Sequence, residues 1–293
     1  MNHILLLGGT GILGSEFRTQ LTAKNMKFES PSSAELDIRD LGQLSEFVQM
    51  HKPHWIINCA AWTNVDGAEE SFDQAKELNE KAVGNIAETA LTNSCNVIHL
   101  STDYLFDGLS SVPYDENSPV KPVNKYGESK LLGENALLKT LPNNSYVIRT
   151  SWLYGVKGKN FVKTIAAKAL KSEAASVVED QVGSPTSARD LARAILAIIE
   201  KAPAPGIYHY SNSGSCSWFE LGRTIYSMVG ADPALVDPIK TASLNVKAAR
   251  PIFSILSKEK WRSAVLSVIP EWEDALEELL PEILTELRSS GAL

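Results

Sequence analysis

A glycine-rich turn near the N-terminus constrains the fold of this chain more than any other feature. The segment HILLLGGTGILG places Gly8, Gly11 and Gly14 after a short apolar run and before a helical pattern. Glycines at this spacing allow a tight turn, a close backbone approach to a ligand, and close packing of helix on strand. The N–H groups and dipole of such a helix start favour an anion. The pattern therefore predicts a strand–turn–helix unit that holds the pyrophosphate of a dinucleotide.

The same segment could form an ordinary glycine-rich surface turn, which is the simpler reading of the pattern alone. Its position directly after a predicted first strand favours the dinucleotide reading. The cofactor contacts predicted within this turn are Gly8, Thr10, Gly11, Ile12, Leu13 and Gly14.

Strand and helix patterns alternate along the first half of the chain. Apolar runs predict strands at Ile4–Leu7, Trp55–Asn58, Asn96–Ser101 and Tyr146–Arg149. Longer helical patterns predict helices at Gly11–Ala23, Leu41–His51, Phe72–Asn93, Tyr126–Leu138 and Phe161–Leu170. Because strands that alternate with helices form right-handed crossovers, the predicted fold class is α/β, with a doubly wound, Rossmann-like parallel sheet.

Beyond Arg149 the alternation weakens, and the proline-containing stretches KAPAPG and ADPALVDP interrupt it. Strands are predicted at Val177–Val178 and Ile207–Tyr210, and helices near Ala188–Lys201, Trp218–Met228 and Trp272–Leu287. We expect residues 1–150 to form the dinucleotide-binding core. Residues 151–293 are expected to form mainly a smaller α/β substrate-binding region, from which segments can return to the core. A ligand would lie in the cleft between the two parts.

The composition excludes several classes of protein. The chain has 293 residues, of which 44% are hydrophobic and 22% charged, as in an ordinary globular protein. A net charge of −7 argues against a nucleic-acid partner or an anionic membrane surface. No run approaches the ~20 apolar residues of a membrane helix. The three cysteines lack CxxC spacing, so we expect a cytoplasmic protein without a zinc site or a disulfide framework.

The sequence after the predicted second strand leaves the cofactor preference open. An acid that binds the adenine-side ribose is expected about 20 residues after the glycine turn. The segment ESPSSAELDIRD instead offers Ser32 and Ser33, and Asp37 lies far enough on to meet the adenine rather than the ribose. Neither an acid for NADH nor an arginine for NADPH stands at the expected position.

Tyr126 and Lys130 lie four residues apart in the segment NKYGESKLLGE, so a helix places both on one face. A free phenol has a pKa near ~10 and is a poor acid at neutral pH. We expect the ammonium of Lys130 to stabilise the phenolate and lower the pKa of Tyr126. The phenol could then give a proton to a carbonyl oxygen while a hydride reaches the carbon. By itself this spacing is also common by chance.

A segment with two hydroxyl side chains supports a catalytic role for Tyr126 and Lys130. In IHLSTDYLFDG, Ser101 and Thr102 follow a predicted parallel strand at its carboxyl end. Ligands of open α/β sheets bind at that edge, where a hydroxyl can orient a substrate carbonyl near the phenol. A serine or threonine that only caps a loop is the alternative. Together, the three segments predict a carbonyl reductase.

Several segments resemble one known family. LLLGGTGILG, INCAAWTNVDGAEE, HLSTDYLFDG and YGESKLLGE are similar to the extended short-chain dehydrogenase/reductases, and among them to the dTDP-4-dehydrorhamnose reductase family. RTSWLYG, GKNF and VVEDQVGSPTSARDLA extend the resemblance to about residue 192. It is thinner beyond, where ARPIFSIL resembles the family's late substrate loop.

The resemblance implies an activity and the residues that perform it. A member of this family transfers hydride from NADPH, or from NADH, to C4 of dTDP-4-dehydro-β-L-rhamnose. The product, dTDP-L-rhamnose, serves cell-surface polysaccharide synthesis of the O-antigen type. The family's catalytic residues correspond to Thr102, Tyr126 and Lys130, with Tyr126 as proton donor and Lys130 also on the nicotinamide ribose.

The resemblance also implies binding residues. Further cofactor contacts would come from Ser32, Asp37, Ile38, Asn58, Ala60, Ala61, Tyr126 and Lys130. Substrate contacts would come from Thr63, Val65, Thr102, Asp103, Tyr104, Trp152, Asn160, Gln181 and Arg250. Trp62 and Phe253 depart from residues common in the family, which leaves the identity of the sugar open.

Other functions remain open. A related nucleotide-sugar 4-ketoreductase or epimerase would share the glycine turn and the Tyr–Lys pair. In a dehydratase we would expect two acids after the threonine, whereas Asp103 is followed by Tyr104. The non-catalytic regulatory subunit of methionine adenosyltransferase belongs to the same branch and acts by binding a protein partner. For a reductase we expect a nucleotide-sugar substrate and a monomer or homodimer.

Overall fold

The computed structural model describes residues 3–264 and 268–290. Residues 1 and 2 of the predicted core, and residues 265–267 and 291–293 of the predicted substrate-binding region, lie outside the described residues. The strands are β1 Ile4–Leu7, β2 Phe28–Glu29, β3 Trp55–Asn58, β4 Asn96–Thr102, β5 Ser145–Thr150, β6 Leu153–Tyr154, β7 Ala175–Val178, β8 Val182–Gly183, β9 Thr186–Ser187, β10 Gly206–His209, β11 Cys216–Ser217 and β12 Val236–Ile239.

The α-helices are α1 Ile12–Ala23, α2 Leu41–His51, α3 Val65–Glu70, α4 Phe72–Lys76, α5 Ala82–Asn93, α6 Lys125–Thr140, α7 Phe161–Leu170, α8 Ala188–Lys201, α9 Trp218–Val229, α10 Glu259–Ser263 and α11 Trp272–Ser289. Short 3₁₀ turns span Asp103–Leu105, Pro233–Leu235 and Thr241–Ser243. Among these described helices, none is long and apolar enough to cross a membrane.

Six parallel strands form the central sheet in the order β10-β5-β4-β3-β1-β2. Successive residues of a strand face opposite sides, so Ile4 and Leu6 pack beneath α1 and α8, while Leu5 and Leu7 pack beneath α2 and α5. Apolar residues on both faces explain why β1 is a continuous hydrophobic run rather than an alternating one. The predicted doubly wound α/β fold is confirmed.

The chain returns to the sheet after residue 150. Helix α8 packs against α1, and β10 adds a sixth strand beside β5, with Gly206 opposite Tyr146 and His209 opposite Arg149. The remaining C-terminal elements have their own apolar core, built by α7, α9, α11, β7 and β12. That core lies beyond the carboxyl end of β5, where the chain leaves the sheet.

The predicted helix at Phe72–Asn93 is wrong in one respect, because a π-helical segment at Glu77–Lys81 separates α4 from α5. Within it, Asn79 accepts a hydrogen bond from the Trp62 N–H at 2.9 Å and donates to Trp62 O and Ser129 Oγ. A wider turn at this point lets the backbone of Asn79 meet Gly133 of α6, where any Cβ would collide with the Asn79 carbonyl oxygen. Such insertions are frequent at functional sites.

A buried ion pair joins α6 to the sheet. The guanidinium of Arg149 on β5 donates to both carboxylate oxygens of Glu134, at 2.7 Å from Nη2 to Oε2 and 3.0 Å from Nε to Oε1. Their side chains are 3% and 1% exposed, respectively. Because each charge would be costly to bury alone, the pair holds α6 in one position over β5.

We expect Glu134→Gln to destabilise the fold by about 3 kcal/mol, since it leaves the buried Arg149 charge uncompensated. The midpoint of urea unfolding, followed by circular dichroism, measures this loss.

Glu128→Gln on the same helix is the matched control, because Glu128 pairs with Lys125 on the surface, where the two side chains are 45% and 43% exposed. That variant should lose about 0.5 kcal/mol or less. Equal losses in both variants would contradict the role given to the buried pair.

Candidate active site

The fold itself requires two of the three motif glycines. Gly8, which follows β1, has φ +76°, and a Cβ there would lie 2.6 Å from the Ala60 nitrogen after β3. A Cβ on Gly14 would collide with the carbonyl oxygen of Gly8. The turn thus needs a left-handed residue at Gly8 and close packing at Gly14. Both requirements come from protein atoms alone.

Gly11 has no such requirement. A Cβ there would meet only the Gly8 oxygen at 3.5 Å, an ordinary contact. The first helical hydrogen bond runs from the Ser15 N–H to Gly11 O, so the N–H groups of Ile12, Leu13 and Gly14 have no helical acceptor. A glycine that the protein does not need, beside free N–H groups, fits the pyrophosphate of a dinucleotide. Leu13 could contribute only its backbone, because its side chain is in the core.

The edge beyond β2 contains a basic residue that the motifs did not predict. A Cβ on Gly9 would collide with Ser30 Oγ and lie 3.3 Å from Arg18 Cδ, so the Arg18 side chain crosses the glycine turn beside Ser30. Ser30 Oγ is buried and has no hydrogen-bond partner within residues 3–264 and 268–290. This is the region where the adenine-side ribose lies in Rossmann folds.

The residues predicted to bind the adenosine differ in which of their polar atoms are already hydrogen-bonded within the protein. The N–H and Oγ of Ser32 both donate to Glu35, and the carboxylate of Asp37 accepts from the guanidinium of Arg39 at 2.7 Å. The side chain of Ile38 is buried in the core, and its carbonyl oxygen accepts from Asn85 Nδ2, which leaves its backbone N–H for a ligand.

Lys130 is held by a chain of buried groups at the ends of β3 and β4. Its Nζ donates to Leu100 O at 2.6 Å and lies 3.3 Å from Nε2 of His99. The Nδ1 of His99 lies 3.1 Å from Nδ2 of Asn58, whose Oδ1 accepts the Ala60 N–H. Burial lowers the pKa of Lys130 to about 8. Ala61, the other predicted residue of this turn, is partly buried beside it.

The N-terminal turn of α6 is fixed by Asn124. Its Oδ1 accepts the Gly127 N–H at 2.8 Å, and its Nδ2 donates to Ala249 O at 2.8 Å. Gly127 packs so closely on the Tyr104 carbonyl that a Cβ would collide with it. Because the helix starts at this contact, Tyr126 comes to lie beside the end of β4.

Thr102, Asp103, Tyr104 and Tyr126 form one cluster. Thr102 Oγ1 donates to Asp103 Oδ1 and accepts from the Tyr104 N–H, each at 3.2 Å. The rings of Tyr104 and Tyr126 meet edge to face, with 5.7 Å between their centres. The structure therefore brings the Thr102 hydroxyl, the Tyr126 phenol and the Asp103 carboxyl together at the carboxyl edge of the sheet.

The expected lowering of the Tyr126 pKa is wrong for this structure. Burial raises the pKa of Tyr126 to about 12, the nearby Thr102 hydroxyl lowers it in part, and the charge of Asp103 raises it. Lys130 does not offset this rise, because its Nζ is directed at Leu100 O and His99. Burial also raises the pKa of Asp103 to about 6. The phenol is therefore a proton donor with a firmly held proton.

Arg250 lies at the outer side of this cluster. Its guanidinium donates to both carboxylate oxygens of Asp66, at 2.6 Å and 3.0 Å, and to Ala248 O. Hydrogen bonds from Arg250 lower the pKa of Asp66 to about 2. The Arg250 charge also lowers the pKa of the Tyr104 phenol, although burial raises it overall. The predicted substrate arginine is thus near Tyr104, and three of its five N–H donors are engaged within the protein.

Trp152 follows the end of β5 in a left-handed conformation, with φ +47°. Its indole stacks on Trp218 with the ring centres 3.6 Å apart and the planes 9° apart. One face of Trp152 is therefore covered by Trp218, and Gly183 also packs against the indole, where a Cβ would lie 2.5 Å from Cε2. A non-glycine residue with positive φ costs conformational energy and is frequent at binding sites.

The other predicted substrate residues are dispersed. The side chain of Asn160 accepts the Lys163 N–H at the start of α7 and donates to Gly155 O, so the oxygen and the nitrogen of its amide each have a partner within the protein. Gln181 is buried and donates to Thr241 Oγ1 at 3.0 Å. Thr63 is exposed, and Val65 begins α3. These contacts give no direct support to the roles that the resemblance implies for Asn160 and Gln181.

Comparison with known proteins extends the resemblance well beyond residue 192. Residues 1–285 match the family model described as RmlD substrate binding domain. The dTDP-4-dehydrorhamnose reductase of Streptomyces griseus is 36% identical over 284 residues, which cover 95% of this chain and 93% of that protein. The dTDP-4-keto-6-deoxy-D-glucose reductase of Streptomyces niveus is 35% identical, over 94% of this chain and 96% of the relative.

A crystal structure shows the same architecture. The dTDP-4-dehydrorhamnose reductase of Bacillus anthracis in complex with NADP superposes with a TM-score of 0.92 at 37% identity, covering 96% of this chain and 99% of that one. The match of the family model, the identity with reductases and the shared fold lead to one conclusion: this chain belongs to the RmlD substrate binding domain family, that of the dTDP-4-dehydrorhamnose reductases.

Proposed function

We propose that this protein reduces the C4 ketone of dTDP-4-dehydro-β-L-rhamnose with NADPH and forms dTDP-L-rhamnose for cell-surface polysaccharide. The observation that carries the proposal is the cluster of Thr102 and Tyr126 at the carboxyl edge of the sheet, the same edge at which the glycine turn follows β1. A bound reduced nicotinamide supplies the hydride. The protein must then orient the ketone and supply a proton.

In this proposal the Thr102 hydroxyl turns from Asp103 Oδ1 to donate to the ketone oxygen, and holds that oxygen near the Tyr126 phenol. Tyr126 gives its proton to that oxygen as negative charge develops there. The high pKa of the phenol in the buried site means that this proton moves only when a strong base forms, which an alkoxide is. Lys130 would bind the cofactor ribose and Arg250 the diphosphate of the substrate.

A reductase for a related 4-keto-6-deoxy sugar is the second candidate, because the relative from Streptomyces niveus bears such a name. Trp62 borders the presumed sugar site and donates its indole N–H to Asn64 O at 2.9 Å. We further propose that residues 1–150, together with α8 and β10, form the cofactor-binding unit and that the remaining residues form the substrate-binding region. We also propose that the protein is cytoplasmic and is a monomer or a homodimer.

The direct test mixes the purified protein with NADPH or NADH and a panel of dTDP- and UDP-linked 4-keto-6-deoxy sugars. We expect loss of reduced-nicotinamide absorbance with dTDP-4-dehydro-β-L-rhamnose, and NMR of the product should identify the sugar. No turnover of any dTDP-linked ketone would overturn the proposal.

Tyr126→Phe should reduce kcat by about 10²- to 10⁴-fold, because it removes the proposed proton donor. NADPH affinity, measured by quenching of protein fluorescence, should change by no more than about twofold, since the ring is retained.

Tyr146→Phe is the matched control for that variant. The Tyr146 hydroxyl donates to Pro203 O on the far side of the sheet, so the control should retain turnover. Full activity in Tyr126→Phe would place the proton donor elsewhere.

Arg18→Gln tests the preference for NADPH. A guanidinium beside Ser30 can pair with a 2′-phosphate, and no ion pair involves Arg18 in the described residues. We expect about 10- to 100-fold weaker binding of NADPH by calorimetry, with NADH affinity changed by about twofold or less.

Arg39→Gln serves as control, because its guanidinium is engaged by Asp37. A selective loss of NADPH in Arg39→Gln and not in Arg18→Gln would assign the phosphate contact to Arg39 instead.

Asp103→Asn tests the cost of burying a carboxyl in the site. The pKa of Asp103 is raised to about 6 in the fold, so its neutral form is favoured there and its ionised form opposes folding. Stability from this group is present below its unfolded pKa and is lost as pH rises through about 6. The variant should therefore gain up to about 3 kcal/mol over the native protein at about pH 8, but little at about pH 4.

Urea unfolding at both pH values measures the effect of Asp103→Asn. Asp237→Asn, at an exposed position on β12, should show no such pH-dependent gain. A pH-independent difference for Asp103→Asn would contradict the raised pKa of this carboxyl.

A further inference from the structure

The buried hydrogen bonds behind Lys130 have a defined direction. The Ala60 N–H can only donate, so the atom of the Asn58 amide that faces it at 3.1 Å is the oxygen. The amide nitrogen of Asn58 then faces Nδ1 of His99, also at 3.1 Å. Because that nitrogen carries only N–H donors, Nδ1 must offer its lone pair.

The direction continues through the imidazole ring. His99 is 1% exposed, and burial followed by the charge of Lys130 lowers its pKa well below the usual value, so the ring is neutral. A neutral ring with a bare Nδ1 carries its proton on Nε2. Nε2 is the atom that lies 3.3 Å from Lys130 Nζ. His99 therefore points an N–H at Lys130.

An ammonium and an N–H cannot form a hydrogen bond with each other, since both are donors. The uncharged amine of Lys130 can accept from Nε2 with its lone pair and still donate to Leu100 O. We propose that His99, fixed by Asn58, is a positioning residue that presents an N–H to Lys130 and so favours the uncharged amine. The lysine then gains and loses a proton close to neutral pH.

The other groups around Lys130 do not supply this effect. On α6, Tyr126 lies one turn before Lys130, and Glu134 lies one turn after it. The charge of Glu134 favours the ammonium form of Lys130, although this carboxylate is paired with Arg149 of β5. After β3, the Cys59 thiol is kept protonated because burial raises its pKa. Of these groups, His99 on β4 is thus the one that disfavours the ammonium, because its Nε2–H faces Lys130 Nζ at 3.3 Å.

The first test reads the ring proton directly and needs no substrate. In the full-length protein with ¹⁵N-labelled histidine, we expect the His99 signals to show a bare Nδ1 and a protonated Nε2 from about pH 6 to pH 9. His99→Gln identifies these signals by their loss. A protonated Nδ1 with a bare Nε2 in the native protein would overturn the proposal.

The second test reverses the donor–acceptor direction of the hydrogen bonds between Asn58, His99 and Lys130 with one nearly isosteric substitution. In Asn58→Asp the carboxylate can accept from both the Ala60 N–H and Nδ1–H, so the ring turns its lone pair towards Lys130. A second cation at 3.3 Å from Lys130 is disfavoured, so the ring stays neutral. We expect the ¹⁵N signals to exchange tautomers, and the ¹³Cε titration of Lys130 to move upward by about one pH unit or more.

His209→Gln is the matched control. His209 is also a fully buried histidine that faces a cation, with Nε2 3.5 Å from Arg149 Nη1, but it lies on β10. That variant should leave the Lys130 titration unchanged. A Lys130 midpoint that moves equally in His209→Gln, or a tautomer that does not change in Asn58→Asp, would contradict the proposal.

The pH profile of turnover provides a readout that a merely structural role would not move. Turnover in the reduction direction should fall as Lys130 loses its proton, so in Asn58→Asp the fall should shift to higher pH together with the NMR midpoint. If no ketone is turned over at all, the proposed function fails while the NMR results still decide the role of His99. An unshifted profile beside a shifted NMR midpoint would show that His99 acts on Lys130 without affecting turnover, contrary to the proposal.

Discussion

The position of α6 over the sheet is the constraint on which the site depends. The Glu134–Arg149 ion pair fixes the middle of the helix on β5, and Asn124 fixes its start. Between these points, Gly127 and Gly133 let the helix backbone approach neighbouring carbonyl groups without a Cβ in the way. A helix held at its start and its middle can place a phenol and an amine at a strand end with little freedom. The geometry of the candidate site here follows from helix packing.

Burial gives the inner groups of the site a common electrostatic character. It moves the pKa values of Tyr126, Asp103 and Lys130 towards the uncharged form in each case, upward for the two acids and downward for the base. The strong charge pair of the region, Asp66 with Arg250, lies at the outer side. The interior of the site therefore responds to small changes in proton affinity, whereas the two opposite charges at its outer side offset each other.

The sequence was sufficient for the parts that depend on local pattern. The apolar runs of β1, β3, β4 and β5 and the helical spacing of Tyr126 and Lys130 come from neighbours along the chain, and the structure confirms these elements. Arg18 and His99 were not predictable, because their roles depend on contacts with Gly9 and Ser30 or with Asn58 and Lys130. A histidine within an apolar strand looks like core, and only the direction of its hydrogen bonds distinguishes it. The π turn before α5 depends likewise on the approach of α6.

The late arrival of α8 and β10 has a consequence for how the chain folds. Until residues 188–209 are added, β5 is an open edge, and the apolar face of Ile4, Leu6 and Phe17 lacks the helix that covers it. During synthesis, residues 1–150 contain all the motifs of the predicted dinucleotide-binding core before their sheet has its last strand. The unpaired edge of β5 can then form hydrogen bonds with other chains. The residues proposed for catalysis all precede β10, the last strand to join the sheet. About sixty residues separate the end of β5 from the end of β10, and until they have been made the edge of β5 stays unpaired.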